Sequence, residues 1–358
     1  MLVKDTHFDF KGQKIFIGID VHLRNWSVTL RTRMTHIKTF SMNPSPEQLH
    51  RHLVQNYPGG TYYSVYEAGF CGFWVHRSLL NLGIHNIVIN PADVPTTHKE
   101  KRRRRDPVDS SKLSRELASG NLTGIYVPKP SNEYLRSLCR LYSKSVVHQT
   151  RLKNRIRSFL HQNGISIPSR SELCPWTHRF IEWISSLEFD QSPAQDYMRF
   201  CILELLETRK LILDIVRKLR NHIQESSARK IVYDYLMSVP GVGFKTAMIF
   251  YLEIVNISRF SNFDQLASYT GLVPDVDASG DRETNMGITF RQNRYLRHIL
   301  IEAAWVAIRK DPALTLKYQE LTRRMSKQKS IIRIAKKLVS RMRFVWMHEQ
   351  TYVMALVQ

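Results

Sequence analysis

The chain has 358 residues, of which 43% are hydrophobic, so it can bury a sizeable core and is long enough for two or three domains. Its 53 lysines and arginines against 31 acids give a formal net charge of +22 at pH 7, which favours nucleic acid over an anionic membrane because no amphipathic anchor stands out. The chain lacks an 18-residue apolar stretch, an apolar signal sequence and a C-x-x-C pair among its four cysteines, so we expect a cytoplasmic protein without a zinc ribbon.

The first part of the chain is predicted to be a mixed α/β domain. Its predicted order is βββαβαβ, with strands over 15–20, 26–30, 36–40, 62–69 and 85–91 and helices over 43–55 and 72–83. The first helix has a candidate cap in Ser45, directly before Pro46. A doubly wound nucleotide-binding fold would alternate strand and helix from the start, so this order argues against one.

The rest of the chain is predicted to be mostly helical. A basic block over 99–105 precedes a helix start at Asp106. Long helical stretches over 131–162 and 193–230 flank a break, and two long helices joined by a loop indicate a helical hairpin or a coiled-coil arm. We predict three regions: an α/β catalytic domain over 1–125, a helical assembly region over 126–230, and a mostly α-helical domain over 231–358.

Four acidic residues lie at predicted strand ends and at a predicted helix start, where their carboxylates could form one site. Asp20 ends the first strand, Glu67 ends the fourth, and Asp106 and Asp109 lie one helical turn apart. Four carboxylates cannot gather without neutralisation, and a pair of Mg²⁺ ions would supply the positive charge and act on a phosphodiester. Any one of these acids alone is more often a capping or surface residue. The four together, on this layout and beside a basic block, favour a metal site.

Two further patterns fit a phosphate backbone. Arg102, Arg103, Arg104 and Arg105 directly precede Asp106, and guanidinium forks there would hold phosphates beside the metal, although a solvated charged loop is the commoner fate of such runs. Gly241 and Gly243 lie in a Pro-Gly-x-Gly turn like that of a helix-hairpin-helix, with Lys245 close behind. An ordinary helix–helix turn explains the two glycines equally well.

Ser279 is a candidate nucleophile. It precedes Gly280 in a predicted polar loop, and four arginines follow within twenty positions: Arg282, Arg291, Arg294 and Arg297. Cations around a serine hydroxyl would stabilise the charge that develops when it attacks a phosphate. From spacing alone the signal is weak, because most Ser-Gly pairs are turns.

The order of these pieces resembles one family. The matching stretches are GIDVHLRNWSV at 18–28, YEAGFCGFWVHRSLLNLGI at 66–84, RRRRDPVDSSKLSREL at 102–117, VPGVGFKTA at 239–247, FDQLASYTGLVPDVDASG at 263–280 and MGITFRQNRYLRHILIEAA at 286–304. They resemble the DEDD transposases of insertion sequences, a family described as bridge-RNA-guided serine recombinases. The resemblance covers most of the chain, and only the middle helices are unspecific.

The resemblance implies a mechanism and its partners. Asp20, Glu67, Asp106 and Asp109 would form a RuvC/RNase H-like acidic tetrad that binds Mg²⁺, with Mn²⁺ as the alternative. Ser279 would be the nucleophile that forms a phosphoserine link to DNA. The family acts as a tetramer, a dimer of dimers, on donor and target DNA with a guide RNA. It would place the protein in the bacterial cytoplasm at the nucleoid.

Two other functions fit the residues. A RuvC-like metal-dependent DNA nuclease or Holliday-junction resolvase would use the same four acids with water as the nucleophile. A DNA- or RNA-binding protein without catalysis would need only the positive charge.

Overall fold

The computed structural model describes residues 10–95, 106–279, 282–288 and 292–354, with the strands of 274–288 described by their backbone alone. The chain forms two compact units, Met1–Val127 and Pro128–Gln358. In the described part of the chain, no helix combines the length and the apolar character that a membrane span requires.

The first unit is built on a mixed five-stranded sheet within its described residues. The strands are β1 (Lys14–Val21), β2 (Trp26–Arg31), β3 (His36–Met42), β4 (Thr61–Glu67) and β5 (His85–Ile89), in the order β3-β2-β1-β4-β5. β2 runs antiparallel to both of its neighbours, whereas β1, β4 and β5 run parallel. The predicted mixed sheet and its element order are confirmed, and they are consistent with a RuvC-like domain.

Helices cover both faces of this sheet. On one face, α1 (Pro46–Asn56) and α2 (Trp74–Asn81) enclose the alternate side chains Ile15, Ile17 and Ile19, which are fully buried. α1 begins at the expected cap, because the backbone N–H of Gln48 donates to Ser45 Oγ at 3.2 Å. On the other face, α3 (Asp106–Ala118) packs through Leu113 against Val65 and Ile89.

The second unit is mostly helical, as predicted. Its helices are α4 (Pro130–Gln162), α5 (His178–Ser185), α6 (Ser192–Gln224), α7 (Ser227–Met237), α8 (Phe244–Ile254), α9 (Phe263–Thr270), α10 (Arg294–Ala307), α11 (Pro312–Thr322) and α12 (Lys327–Met347). The predicted helix over 193–230 is interrupted, because Ser226 caps α7 with its hydroxyl two residues after α6 ends.

α4 and α6 form an antiparallel helical hairpin. The end of α4, at Ile156 and Leu160, shares a hydrophobic core with Met198 at the start of α6. The start of α4, at Leu135, shares another core with Ile223 at the end of α6 and with the C-terminal helices. One of the two expected alternatives, a helical hairpin, is therefore present.

The segment around Ser279 differs from the prediction. A polar loop was expected between Pro274 and the helix that follows, but β6 (Pro274–Ser279) and β7 (Arg282–Ile288) form an antiparallel hairpin. Its residues are mostly polar and offered no apolar alternation, which is the signal on which strand prediction depends. Backbone pairing between the two strands holds such a ribbon without a hydrophobic face.

Candidate carboxylate site and serine hairpin

Two of the four acids lie at the carboxyl ends of neighbouring parallel strands. The last residues in register between β1 and β4 are Ile19 and Tyr66, so Asp20 and Glu67 each follow by one position. Side chains alternate along a strand, and Ile19 and Tyr66 face the buried core under α1 and α2. Asp20 and Glu67 therefore belong to the opposite face, where α3 packs.

A glycine lets α3 approach β1 closely enough to bring the other two acids there. A Cβ built on Gly18 would lie 2.0 Å from the carbonyl oxygen of Ser110 and 2.5 Å from the backbone nitrogen of Ser114. Only a residue without a side chain fits between strand and helix at this point. Ser110 Oγ lies 2.9 Å from Thr29 Oγ1 and fixes the helix to the sheet.

The first turn of α3 thus places Asp106 and Asp109 beside Asp20. His22 Nε2 lies 3.1 Å from Asp20 Oδ2 and 3.5 Å from Asp106 Oδ1, so one imidazole bridges two carboxylates. The ligand atoms of Asp20, His22 and Asp106 all lie within 4.8 Å of one another. The side chains of Asp20 and Asp106 are 23% and 50% exposed, so the group is open to solvent.

Asp109 is near enough to Asp20 for its charge to act there, although its carboxylate is not among the ligand atoms that lie within 4.8 Å of one another in the described part of the chain. Burial raises the pKa of Asp20 above its ordinary value, and the charges of Asp106 and Asp109 raise it further. The charge and the hydrogen bond of His22 lower that pKa but do not cancel the rise. We call Asp20, Asp106 and Asp109 the carboxylate cluster. Asp106 and Asp109 stand in the first turn of α3, where the helix dipole favours negative charge.

The donor set of the cluster fits a divalent cation. Carboxylate oxygens are the ligands that Mg²⁺ and Mn²⁺ prefer, and like-charged oxygens at this range are repelled unless a cation joins them. Glu67 ends the neighbouring strand on the same face, but its carboxylate is not in the group of ligand atoms that lie within 4.8 Å of one another among the described residues. The predicted phosphate-binding residues Arg102, Arg103, Arg104 and Arg105 lie outside the described residues.

Ser279 is the last residue of β6 and is paired with Arg282, the first residue of β7. The nucleophile candidate and the first of its four arginines are therefore direct neighbours across the hairpin. The connecting residues 280–281 and Arg291 lie outside the described residues. Arg294 is exposed at the start of α10, and Arg297 donates to the side-chain oxygen of Gln292. Burial lowers the pKa of Arg297 from its ordinary value.

A buried acid anchors the start of α10, the helix that follows the hairpin in the chain. Glu253 is fully buried and accepts two hydrogen bonds from Arg140, Nε to Oε1 at 2.7 Å and Nη2 to Oε2 at 2.8 Å. Asn293 Nδ2 also donates to Glu253 Oε2 at 2.7 Å, and Asn293 Oδ1 caps α10. The backbone N–H of Asn293 donates to the carbonyl of Tyr269 at 3.1 Å. Asn293 at the start of α10 is therefore tied to α8 through Glu253 and to α9 through Tyr269.

The two glycines of the Pro-Gly-x-Gly turn have different surroundings. Gly241 has φ +90°, and a Cβ there would lie 2.5 Å from Ala307 Cβ, so it is required for packing against α10. Gly243 precedes α8, and a Cβ there would meet no atom within 4 Å among the described residues. Lys245 is exposed one residue into α8. The turn joins α7 to α8, and the packing of Gly241 supports the ordinary helix–helix turn.

Two residues of these sites were not predicted from the sequence. His22 stands two positions after Asp20, and residues two apart at a strand end share a face, which was a usable signal. Glu253 is the one acid within the apolar stretch 236–255, and a lone acid inside an apolar run indicates a buried, paired charge. Both signals are local in the sequence, but neither identifies the residue that His22 or Glu253 contacts in the folded protein.

Models of known protein families match both units. A model of the DEDD transposases of the IS110 group, described as a transposase, matches residues 17–164. The model described as the transposase IS116/IS110/IS902 family matches residues 233–319. The two matches together cover well over half of the chain and follow one another in the expected order. Both models describe transposases of the IS110 group, so the chain is similar to this family in each of its two units.

Individual proteins that this chain resembles are also named as transposases. The y4qE protein of Sinorhizobium fredii is 29% identical over 68% of this chain and 58% of its own length. The transposase for insertion sequence element IS1111A of Coxiella burnetii is 25% identical over 67% of this chain and 64% of its own. The transposase for insertion sequence element IS1533 of Leptospira borgpetersenii is 22% identical over 82% of this chain and 85% of its own length. The chain thus spans less than two thirds of the first two of these relatives.

Proposed function

We propose that this protein is a transposase that cleaves and rejoins DNA, with metal-binding carboxylates in the first unit and a nucleophilic serine in the second. The observation that carries the proposal is the close approach of α3 to β1 at Gly18. It puts the start of α3 beside the strand end that carries Asp20, with Asp106 in one group of ligand atoms with Asp20 and the charge of Asp109 acting on Asp20, which supports a DEDD site. The similarity to transposases of the IS110 group and the net charge of +22 support DNA as the substrate.

In this proposal the acidic side chains would bind the metal and determine where it lies. Asp20, Asp106 and Asp109, with Glu67 at the adjacent strand end, would be the ligands. When bound, Mg²⁺ would offset the charge of the phosphate oxygens and polarise the phosphodiester. The partial exposure of Asp20 and Asp106 leaves the cluster accessible to a DNA backbone. The sheet and α3 fix the acids in advance, so little reorganisation is needed when the substrate binds.

The serine would form the covalent bond. The oxygen of Ser279 attacks the phosphorus, the bond from phosphorus to the 3′ oxygen breaks, and a 5′-phosphoserine and a free 3′-hydroxyl result. The serine proton passes to solvent or to a neighbouring base, and the leaving oxygen takes up a proton. Because the ester keeps the phosphodiester energy, a second 3′-hydroxyl can reverse the step and join new strands without ATP.

The runner-up is a RuvC-like nuclease that uses water. Ser279→Ala separates the two mechanisms on a DNA substrate that carries the element ends. A transposase that uses this serine loses strand transfer and the covalent protein–DNA adduct, whereas the nuclease keeps its cleavage rate. Ser258→Ala, an exposed serine in the same unit, is the matched control and keeps both activities. Full strand transfer by the Ser279 variant would overturn the serine mechanism.

Guidance by RNA and assembly of several copies complete the proposal. The resemblance to bridge-RNA-guided recombinases and the excess of cations support a guide RNA. Purification followed by RNA sequencing should recover a structured transcript from the element's non-coding end, and strand transfer should stop when ribonuclease removes it. Recovery of random cellular RNA alone would count against guidance.

The helical hairpin of α4 and α6 is the proposed contact between copies. It exposes leucines from the apolar pattern, with Leu141 45%, Leu203 52% and Leu206 41% exposed. Exposed leucines in succession fit a second copy of the same hairpin better than solvent. Changing Leu203 and Leu206 to lysine should lower the molar mass measured by light scattering, whereas Val54→Lys, an exposed apolar residue in the first unit, should not.

A further inference from the structure

We infer that His22 is a nitrogen ligand of the metal held by Asp20 and Asp106, and that it makes the site prefer a divalent transition-metal ion over Mg²⁺. This inference rests on the proposed function, because it presupposes that the carboxylate cluster holds a metal. It adds a donor of a different chemical kind to an all-oxygen set.

The spacing of the three donor atoms fits one coordination sphere. On an octahedral ion with bonds of about 2.1 Å, adjacent ligand atoms lie about 3.0 Å apart. His22 Nε2 is 3.1 Å from Asp20 Oδ2 and 3.5 Å from Asp106 Oδ1. A small rotation of side chains that are 45%, 23% and 50% exposed would close the triangle on an ion.

The backbone explains why the imidazole is at this place. His22 follows β1 directly and stands two residues after Asp20, so the two side chains leave the chain on the same side of the sheet. Asp106 comes from the start of α3, which Gly18 brings against the same strand. Strand and helix therefore converge on the imidazole from two directions, and nearly half of its surface remains open for metal exchange.

Ligand chemistry gives the metal preference. Imidazole suits first-row transition ions, whereas Mg²⁺ takes oxygen ligands and keeps its water. A set of carboxylates with one imidazole should therefore bind Mn²⁺ more tightly, relative to Mg²⁺, than carboxylates alone. Nε2 can ligate only as a lone pair, so the metal-bound ring carries its proton on Nδ1.

Mn²⁺ is the probe that tests this inference in the full-length protein. Pulsed electron paramagnetic resonance detects the nitrogen of a coordinated imidazole, and calorimetry measures the affinities for Mn²⁺ and Mg²⁺. We expect the nitrogen signal in the unmodified protein and its loss in both His22→Ala and His22→Gln. The affinity for Mn²⁺ should fall about tenfold, and the affinity for Mg²⁺ should fall much less. His36→Ala, an exposed histidine in the same unit, should keep the signal and both affinities.

The outcomes separate this inference from the proposed function. If Asp20→Asn abolishes Mn²⁺ binding while His22→Ala keeps the nitrogen signal, the carboxylates bind the metal but His22 is not a ligand. That result would overturn the inference and leave the proposed function intact. Equal losses of Mn²⁺ and Mg²⁺ affinity in His22→Gln, with no nitrogen signal in the unmodified protein, would reduce His22 to a hydrogen-bonding partner and overturn the inference. Failure of the unmodified protein to bind either ion would contradict the proposed function itself.

Discussion

The carboxylate cluster of the first unit and Glu253 of the second are two opposite ways of placing acids in one chain. Glu253 is fully buried, and Arg140 neutralises it through two short hydrogen bonds. That contact also raises the pKa of Arg140, and the hydrogen bonding that Arg140 donates to the Glu253 carboxylate is the largest cause. Asp20 is partly exposed, faces two like charges, and has His22 as its ion-pair partner.

This difference in burial and in charge partners distinguishes an acid that stabilises the fold from acids that form a cation-binding site. A buried acid with its own guanidinium stabilises the fold, because separating the pair would leave a charge in a medium of low dielectric constant. Acids gathered without matching cations repel one another, which lowers the free energy of unfolding. Other contacts in the domain must offset this loss. Substitutions in the two regions should therefore have opposite effects on stability and on activity.

The largest effect is expected for Asp20→Asn. Loss of one ligand charge should remove about 3 kcal/mol of transition-state stabilisation, or about a hundredfold in the rate of strand transfer. The free energy of unfolding should stay the same or rise, because a repelled charge is gone. Rates on element-end DNA and urea unfolding measure the two quantities. Glu188→Gln, an exposed acid in the second unit, is the control and should change neither.

Glu253→Gln should show the converse. Arg140 would lose its counter-charge, and we expect the free energy of unfolding to fall by about 3 kcal/mol. Glu204→Gln is the matched control, since Glu204 is exposed and pairs with Arg155 at 3.1 Å in the same unit. Exposed pairs contribute about 0–1 kcal/mol, so the control should lose little. Equal losses in both variants, measured by urea unfolding, would remove the contrast between buried and exposed acids.

Gly18→Ala tests whether the approach of α3 assembles the cluster. The added Cβ meets the backbone of α3, so the helix must move, at an expected cost of about 2 kcal/mol in unfolding free energy and with weaker Mn²⁺ binding. Gly69→Ala is the control, because the nearest atom to a Cβ there, the carbonyl oxygen of Glu67, would lie 3.9 Å away. Unchanged stability and Mn²⁺ affinity in Gly18→Ala would contradict this role of the glycine.

The smallest effect is expected for Ser110→Ala. It removes the hydroxyl that lies 2.9 Å from Thr29 Oγ1 and 3.1 Å from Ser27 Oγ, which should cost about 1 kcal/mol of unfolding free energy. Ser119→Ala, an exposed serine directly after α3, should cost less than about 0.5 kcal/mol. Thermal and urea unfolding of the two variants give the comparison directly.

The first unit was largely predictable because its signals are local. Apolar runs such as residues 15–20 and the cap at Ser45 specify their own strands and helices. The convergence of Asp20 with Asp106 was also accessible, since acids at a strand end and at a helix start were expected to meet. What the sequence could not supply was the approach at Gly18, because a close contact depends on a helix 90 residues away.

The second unit was predictable only in outline. Its helices were anticipated, but the hairpin of β6 and β7 was not, because its stability depends on pairing between polar strands rather than on an apolar face. The ion pair of Glu253 joins α8 to α4, and no local pattern specifies that partner. Long-range polar contacts of this kind require the tertiary structure.

One measurement tests the central claim most directly: a crystal structure of the full chain grown with Mn²⁺, with anomalous scattering recorded at the manganese edge. The proposed site predicts an anomalous peak bounded by the carboxylate oxygens of Asp20 and Asp106, about 2.2 Å from each. A protein with Mn²⁺ bound elsewhere, and with water alone between those two carboxylates, would contradict it.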